Sequence, residues 1–178
     1  MLKIIAVIAV ILAVALVAVL ALALTKPDTF EVARSAAIKA PPDRIYPLIE
    51  DLHRWTAWSP YEAKDPAMKR SYSGSERGKG AAYGWDGNSN VGSGRMEITD
   101  ATSPTRIVLK LDFFRPFEGH NTGEFTLHPR GDMTTVTWSM RGPAPLMSKI
   151  MQVFLNMDQM IGKDFAVGLV NLKSIVEK

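Results

Sequence analysis

The chain has 178 residues and a formal net charge of +3, and 47% of its residues are hydrophobic against 22% charged. This composition is typical of a folded protein and excludes an intrinsically disordered chain. No Lys/Arg-rich run accompanies the small positive charge, which argues against a nucleic-acid partner. Cysteine is absent, so disulfide bonds, thiolate metal sites and cysteine nucleophiles are excluded.

The chain opens with an apolar run, residues 4–24, made only of Ile, Leu, Val and Ala. About twenty helical residues span a hydrocarbon core of roughly 30 Å, which predicts a transmembrane anchor over residues 1–26. A cleavable signal peptide is the alternative, since Ala21-Leu22-Ala23 fits a cleavage site, although a signal peptide's apolar region is normally about 7–15 residues. Lys3 precedes the run, and the charges that follow it balance. This favours a single-pass protein with an extracytoplasmic domain, periplasmic in a Gram-negative bacterium.

The remaining residues, 27–178, are predicted to form one domain that begins with a strand and two short helices. Apolar and polar residues alternate from Phe30 to Ile38, which predicts the first strand. Ala40-Pro41-Pro42-Asp43 then ends the strand and begins a helix. A second short helix is predicted from Asp51 to Trp55, and Trp58-Ser59-Pro60 ends it.

Six further strands and a long helix complete the predicted fold. The strands are predicted near Met68–Ser73, Lys79–Asp86, Gly92–Ala101, Thr105–Phe113, Gly119–Pro129 and Asp132–Arg141. After Gly142-Pro143, apolar residues recur at three- and four-residue steps to the C-terminus, which predicts one long helix with an apolar stripe. A curved antiparallel sheet is the surface best able to bury that stripe. The predicted fold is therefore α+β, with the order β-α-α-β-β-β-β-β-β-α after the anchor.

Several motifs spread over residues 30–178 carry a family resemblance. They are Arg34–Pro41, Trp58-Ser59-Pro60, Gly80 with Tyr83 and Trp85, Gly92-Ser93-Gly94, Thr135–Trp138, Met160–Phe165, Gly168-Leu169 and Leu172-Lys173. Together they resemble the polyketide cyclase/dehydrase-like proteins of the START superfamily, also called SRPBCC. The resemblance implies a helix-grip fold, in which a seven-stranded antiparallel sheet curls around a long C-terminal helix and leaves a cavity. Members bind lipids, sterols, polyketides or other hydrophobic ligands, and some catalyse cyclisation, so the fold alone does not assign an activity.

The sequence offers few groups for catalysis or metal binding. Alternation places His120 and His128 on the strand face opposite Phe125, toward solvent, and no histidine has partners at metal-ligand spacing. Gly92-Ser93-Gly94 is predicted to lie at a hairpin, without the strand-to-helix setting of a nucleophile elbow or a phosphate loop. We therefore predict no catalytic residue, no metal and no cofactor, and the sequence favours a non-enzyme without deciding the matter.

The candidate ligand-binding residues lie on one predicted sheet face and on the helix that covers it. The apolar candidates are Trp85, Met96, Leu109, Leu111, Phe113, Phe125, Trp138 and Met140 from the sheet, with Phe154, Met157 and Ile161 from the helix. Each alone is better explained as core, but so many large and soft side chains on one face favour an adaptable pocket. Alternation turns Arg34, Tyr83 and Asn121 toward the same face, where they would orient a ligand carboxylate, carbonyl or hydroxyl.

These observations leave three functional hypotheses. The leading one is a membrane-anchored protein that binds a lipid-like or polyketide-like small molecule between sheet and helix, because tethering raises the local concentration of apolar ligands. The second is a cyclase- or dehydratase-type enzyme in which Tyr83 or Arg34 polarises the carbonyl of a hydrophobic substrate. The third is a protein-interaction module whose cavity is filled by side chains. The predicted cavity lacks an acid/base pair, which favours the first hypothesis over the second.

Overall fold

The structure is a computed structural model that describes the backbone of residues 1–178 and every side chain except that of Leu2. The chain forms two compact units. The smaller unit comprises residues 1–30 and 143–157, and the larger comprises residues 31–142 and 158–178. The domain boundary predicted after residue 26 stays a prediction.

Five α-helices and seven strands make up the chain. The helices are α1 (Leu2–Leu24), α2 (Pro42–Glu50), α3 (Pro60–Lys64), α4 (Leu146–Phe154) and α5 (Met157–Val176), with a 3-10 helix at Leu52–Ala57. The strands are β1 (Thr29–Ile38), β2 (Lys69–Gly74), β3 (Ala81–Asp86), β4 (Ser93–Thr102), β5 (Arg106–Arg115), β6 (Gly119–Arg130) and β7 (Met133–Pro143). Each predicted strand overlaps the observed strand over almost its whole length.

The seven strands form one sheet in the order β1-β7-β6-β5-β4-β3-β2. Each consecutive pair from β2 to β7 is antiparallel, so these six strands follow one another across the sheet. Strand β1 lies beside β7, at one end of the strand order. The prediction of a seven-stranded antiparallel sheet is confirmed.

Helix α5 packs on one face of this sheet through an aromatic stack. The ring of Phe165 lies 4.1 Å from that of Trp138 at an interplanar angle of 11°. Gly168 permits the close approach, because a Cβ at that position would lie 2.8 Å from the Trp138 ring. Leu169 and Leu172, on the same side of the helix, are buried. The sheet therefore grips α5, as a helix-grip fold requires.

The short helices close one end of the gripped face with two tryptophans. The indole N–H of Trp58 donates to the carbonyl oxygen of Leu48 at 2.9 Å. Its ring meets the rings of Phe125 and Trp138 edge-on, at centroid distances of 6.0 and 5.7 Å. Trp55 contacts the same two rings edge-on. Such edge-to-face contacts are favourable, and they fill this end of the face with side chains.

The prediction of one continuous helix after residue 143 is wrong. Strand β7 continues to Pro143, and α4 and α5 are separate helices. Leu155 breaks the helix, because its φ of −121° and ψ of 136° are those of extended backbone. The short helix predicted to end at Trp58-Ser59-Pro60 is the 3-10 helix Leu52–Ala57, which does end there. Pro60 begins the additional helix α3, which was not predicted, and its missing N–H costs no helical hydrogen bond in that position.

Replacing Phe165 with alanine is expected to lower the free energy of unfolding by about 3–5 kcal/mol, the cost of removing a large buried ring. Phe165 is 2% exposed and stacks on Trp138. Denaturant titration followed by tryptophan fluorescence measures the loss. Val170→Ala is the matched control on α5, since Val170 is 58% exposed. Equal losses in the two variants would contradict the packing described for α5.

Candidate functional site

The gripped face of the sheet has a closed end and an open end. At the closed end Ile107, Phe125 and Trp138 are at most 5% exposed. Farther along the same face, four side chains are only half-buried, and we call them the open end: Trp85, Leu111, Phe113 and Asn121. The face therefore combines a packed core with an accessible apolar surface.

Strand register places the four residues of the open end on one face. Asn121 of β6 lies directly opposite Leu111 of β5. Trp85 of β3 and Phe113 of β5 both lie opposite Gly94 of the strand between them. Opposed residues of antiparallel strands share a face, and so do residues two apart on one strand. The side chains of the open end therefore cover neighbouring strands of the same surface.

Glycines make room for two side chains of the open end, Trp85 and Asn121. A Cβ at Gly94 would come within 2.5 Å of the Trp85 ring, so the indole rests on that glycine. A Cβ at Gly142 would overlap the side chain of Asn121. The indole N–H of Trp85 donates to the carbonyl oxygen of Val91 at 3.0 Å, which leaves its apolar ring to form the surface. Gly94 therefore serves packing within β4.

Asn121 is the polar group of the open end. Its side chain is half-buried, and it takes part in none of the hydrogen bonds found among the side chains that the structure describes. A carboxamide carries two donors and one acceptor oxygen. Polar groups removed from bulk water normally find partners, so this amide is available to a solvent molecule or a ligand.

Tyr83, the second predicted polar group, is committed to a protein partner. Its hydroxyl donates to Glu62 Oε1 at 3.0 Å, and Glu62 is also paired with Arg70 at 2.6 Å. Burial raises the pKa of Tyr83, and the neighbouring negative charge of Glu62 raises it further. A phenol with a raised pKa is a poor general acid, so the geometry does not favour Tyr83 as the group that polarises a carbonyl.

Arg34, the third predicted polar group, is bound by the first turn of α5. Its guanidinium donates to both carboxylate oxygens of Asp158, at 3.0 and 2.9 Å, and to the Asp158 carbonyl oxygen at 3.0 Å. Gly162 makes room for it, since a Cβ there would overlap the guanidinium. The hydrogen bonds from Arg34 hold the pKa of Asp158 below its ordinary value. Arg34 therefore joins β1 to α5, and its ligand role stays a prediction.

The apolar candidates fall into three groups. Met96, Leu109, Phe125, Trp138 and Met140 are buried in the core. Trp85, Leu111 and Phe113 form the apolar part of the open end, and Ile161 on α5 is also half-buried. Met157 and Phe154 belong to the smaller unit. Phe154 is 67% exposed, so the continuous-helix interpretation that buried it is wrong. Whether any of these residues binds a ligand stays a prediction.

A concave feature of the larger unit, away from the open end, was not predicted from the sequence. It is a shallow groove of about 530 Å³, lined by Thr56, Ala57, Trp58, Ser59, Glu62, Ala63, Pro66, Arg70 and Asn171. Its charged members, Glu62 and Arg70, neutralise each other in a salt bridge. Among the residues whose side chains are described, no three His, Cys, Asp or Glu side chains meet as metal ligands would. The sequence pattern did not predict this groove, because its lining residues come from separate parts of the chain and are brought together by folding.

A sheet that grips one helix and leaves one end of the gripped face accessible defines the class of helix-grip proteins. Residues 29–177 match the model of the family described as polyketide cyclase/dehydrase and lipid transport, and the chain belongs to that family. The resemblance expected from the sequence motifs is therefore confirmed. No curated protein matches the chain in sequence.

Solved structures share the fold at low sequence identity. Protein CV1439 from Chromobacterium violaceum is 15% identical, with a TM-score of 0.59, over 85% of this chain and 99% of that one. Major latex-like protein 151 from Panax ginseng is 13% identical, with a TM-score of 0.60, over 84% and 99%. The di-domain ARO/CYC protein BexL of the BE-7585A biosynthetic pathway is 14% identical, with a TM-score of 0.62, over 88% of this chain and 53% of its own. At such identities the likeness shows the fold alone.

The pairing of Arg34 with Asp158 predicts a pH-dependent contribution to stability. A carboxyl whose pKa is lower in the folded state than its unfolded value of 3.8 stabilises the fold above that pH, and the contribution is lost as pH falls through the folded pKa. Asp158→Asn is therefore expected to have a lower free energy of unfolding than the unmodified chain at neutral pH. In strong acid the two free energies should become equal. Denaturant titrations across this pH range measure the difference.

The control for this prediction is Glu76→Gln, which changes an exposed carboxyl in the loop between β2 and β3. It is expected to leave the free energy of unfolding almost unchanged at neutral pH. The free energies of unfolding of Asp158→Asn and the unmodified chain are compared from neutral to strongly acidic pH. A constant difference between them would show that the pair of Arg34 and Asp158 does not act through its charge.

Proposed function

We propose that the protein is anchored in a membrane and binds a hydrophobic small molecule at the open end of its sheet. The observation that carries the proposal is an apolar, half-buried surface that includes one amide with no partner among the described side chains, at Asn121. Ligand sites in proteins are mostly apolar, with few polar groups that fix orientation. The family, whose description includes lipid transport, supports the same class of ligand.

The chemistry of the open end selects a ligand that is apolar along most of its length and carries one polar group. Trp85, Leu111 and Phe113 offer apolar surface, whose burial by a ligand is favourable in proportion to the area covered. Asn121 offers hydrogen bonds to a hydroxyl, carbonyl or carboxyl group. A lipid-like or polyketide-like molecule meets both conditions.

Helix α1 supports the anchoring part of the proposal. Its segment Lys3–Leu24 has 22 residues, and an 18-residue window within it has a mean hydropathy of 3.4 and no buried residue. Ala23, near the end of the segment, is buried. At about 1.5 Å per residue such a helix spans the roughly 30 Å of a bilayer's hydrocarbon core. A signal sequence shares these properties. We favour a retained anchor because the apolar run is longer than that of a typical signal peptide.

The cyclase or dehydratase alternative has less support from the geometry. The groups proposed to polarise a substrate carbonyl, Tyr83 and Arg34, are hydrogen-bonded to Glu62 and Asp158. Catalysis of that kind needs a positioned acid or base with a suitable pKa, and the pKa of Tyr83 is raised. Binding without chemical conversion is therefore the function that the open end supports best.

Filling the open end is expected to weaken ligand binding. Leu111→Trp adds a bulky ring at a half-buried position of this surface, and we expect it to weaken binding about tenfold or more, a loss of about 1.4 kcal/mol. Fluorescence polarisation of a labelled fatty acid and a labelled sterol, with the full chain held in amphipol, measures the affinity. Lys110→Trp is the matched control, because exposed Lys110 is the preceding residue on β5 and points to the opposite face.

Two outcomes would contradict the binding site. If the unmodified chain binds neither probe, the proposed ligand binding is wrong. The hypothesis of a protein-interaction module whose cavity is filled by side chains then gains support. If Leu111→Trp and Lys110→Trp weaken binding equally, the ligand lies elsewhere.

Removing the Asn121 amide is expected to affect only ligands that carry a polar group. Asn121→Leu keeps the size of the side chain, and the lost hydrogen bond is worth about 1 kcal/mol, or roughly fivefold in affinity. Competition against the labelled fatty acid by hexadecanol and by hexadecane measures the effect. The affinity for the alcohol should fall in the variant, and the affinity for the alkane should not. Thr122→Val, the next residue on β6 and on the opposite face, is the control. An equal loss for both competitors would mean that Asn121 shapes the surface without bonding the ligand.

A further inference from the structure

Helix α4 in the smaller unit shows the reverse of the burial expected for a helix in water. Three of its apolar residues are strongly exposed: Leu146 at 50%, Met147 at 57% and Phe154 at 67%. Its lysine, Lys149, is buried, with 11% of the side chain exposed. A helix on a water-soluble protein normally buries its apolar face and exposes its charges. The arrangement in α4 suits an apolar environment outside the protein.

The exposed apolar residues of α4 form one continuous face. Leu146 and Phe154 lie at four-residue steps on either side of the half-buried Ile150, and exposed Met147 and half-buried Met151 lie beside them at the same spacing. The helix's polar residues, Ser148, Lys149 and Gln152, fall on the other side. Leu155, directly after the helix, is 47% exposed. A contiguous apolar face marks an interaction surface, whereas scattered apolar residues would not.

The polar side of α4 is used to hold the segment that follows α1. The Lys149 ammonium lies 2.5 Å from the Asp28 carboxylate, and the Ala144 N–H donates to the Asp28 carbonyl oxygen at 2.7 Å. Helix α4 also packs directly against α1 within the same compact unit. The short segment between α1 and β1 is therefore fixed, and α4 is tied to the helix that we assign to the membrane.

We propose that α4 is a second membrane contact, which lies in the interface of the bilayer that α1 crosses, with Leu146, Met147 and Phe154 among the lipid chains. The inference rests on the proposed anchoring by α1. A bilayer is the occupant because α4 packs against α1, in which an 18-residue window has a mean hydropathy of 3.4 and no buried residue. Amphipathic helices of this kind sink their apolar face about 5–10 Å into the boundary between headgroups and acyl chains.

The absence of cysteine from the chain allows a direct test, because a single introduced cysteine carries the only thiol. We would make four variants of the full chain, Met147→Cys, Phe154→Cys, Val14→Cys in α1 and Val170→Cys in α5. Each is labelled with an environment-sensitive fluorophore and reconstituted in vesicles of phosphatidylcholine and phosphatidylglycerol. Aqueous iodide and nitroxide-bearing lipids then serve as quenchers from the water side and from the membrane side. All four positions are exposed in the protein, so labelling should not disturb the fold.

We expect the labels at residues 147 and 154 to be quenched by the nitroxide lipids and protected several-fold from iodide, relative to the control label at residue 170. If they are as accessible to iodide as the control while the label at residue 14 is protected, the inference fails and the anchor stands. A label at residue 14 that is open to iodide would overturn the anchor itself. Labels at 147 and 154 that neither quencher reaches would show that protein, such as a second copy of the chain, covers α4, and this would also contradict the proposal.

Discussion

The stack of Phe165 on Trp138 is the contact on which the larger unit depends. It fixes α5 above the sheet, and the tryptophans of the short helices complete the aromatic cluster around Phe125. Because large rings fill this part of the face, the accessible apolar surface lies only farther along the strands, at Trp85 and its neighbours. The position of the candidate site is thus a consequence of where the core is packed most tightly.

The sequence predicted strands and faces well, because both depend on a local repeat of two residues. The alternation of Ile107, Leu109, Leu111 and Phe113 gives the strand and the shared face at once. Alternation does not give the depth of burial: Leu109 is buried and Leu111 is half-buried, because burial depends on what packs over each residue in the fold. The break between α4 and α5 was equally hidden, since Leu155 is apolar and the helical spacing continues through it.

The same limit applies to the polar groups. Alternation turned Arg34, Tyr83 and Asn121 toward one face, but it could not say which of them would find a protein partner. Arg34 is bound by Asp158, which is 124 residues away in the chain, and Tyr83 by Glu62 from α3. Partners so distant are brought together only by the fold. Of these three groups, Asn121 alone has no partner among the described side chains, and its contact with a ligand stays a prediction.

The open end and α4 present the same physical problem, which is apolar surface left without protein cover. In water each such surface costs roughly 25 cal/mol per Å² relative to burial, so an exposed Phe154 is unfavourable unless something apolar meets it. A bilayer beside α1, as proposed, would remove that cost for α4, and the proposed ligand would remove it for the open end. A molecule that is apolar enough to fill the open end also dissolves preferentially in the bilayer. Under the proposed function the membrane would be both the support of the protein and the reservoir of its ligand, because tethering raises the local concentration of such molecules.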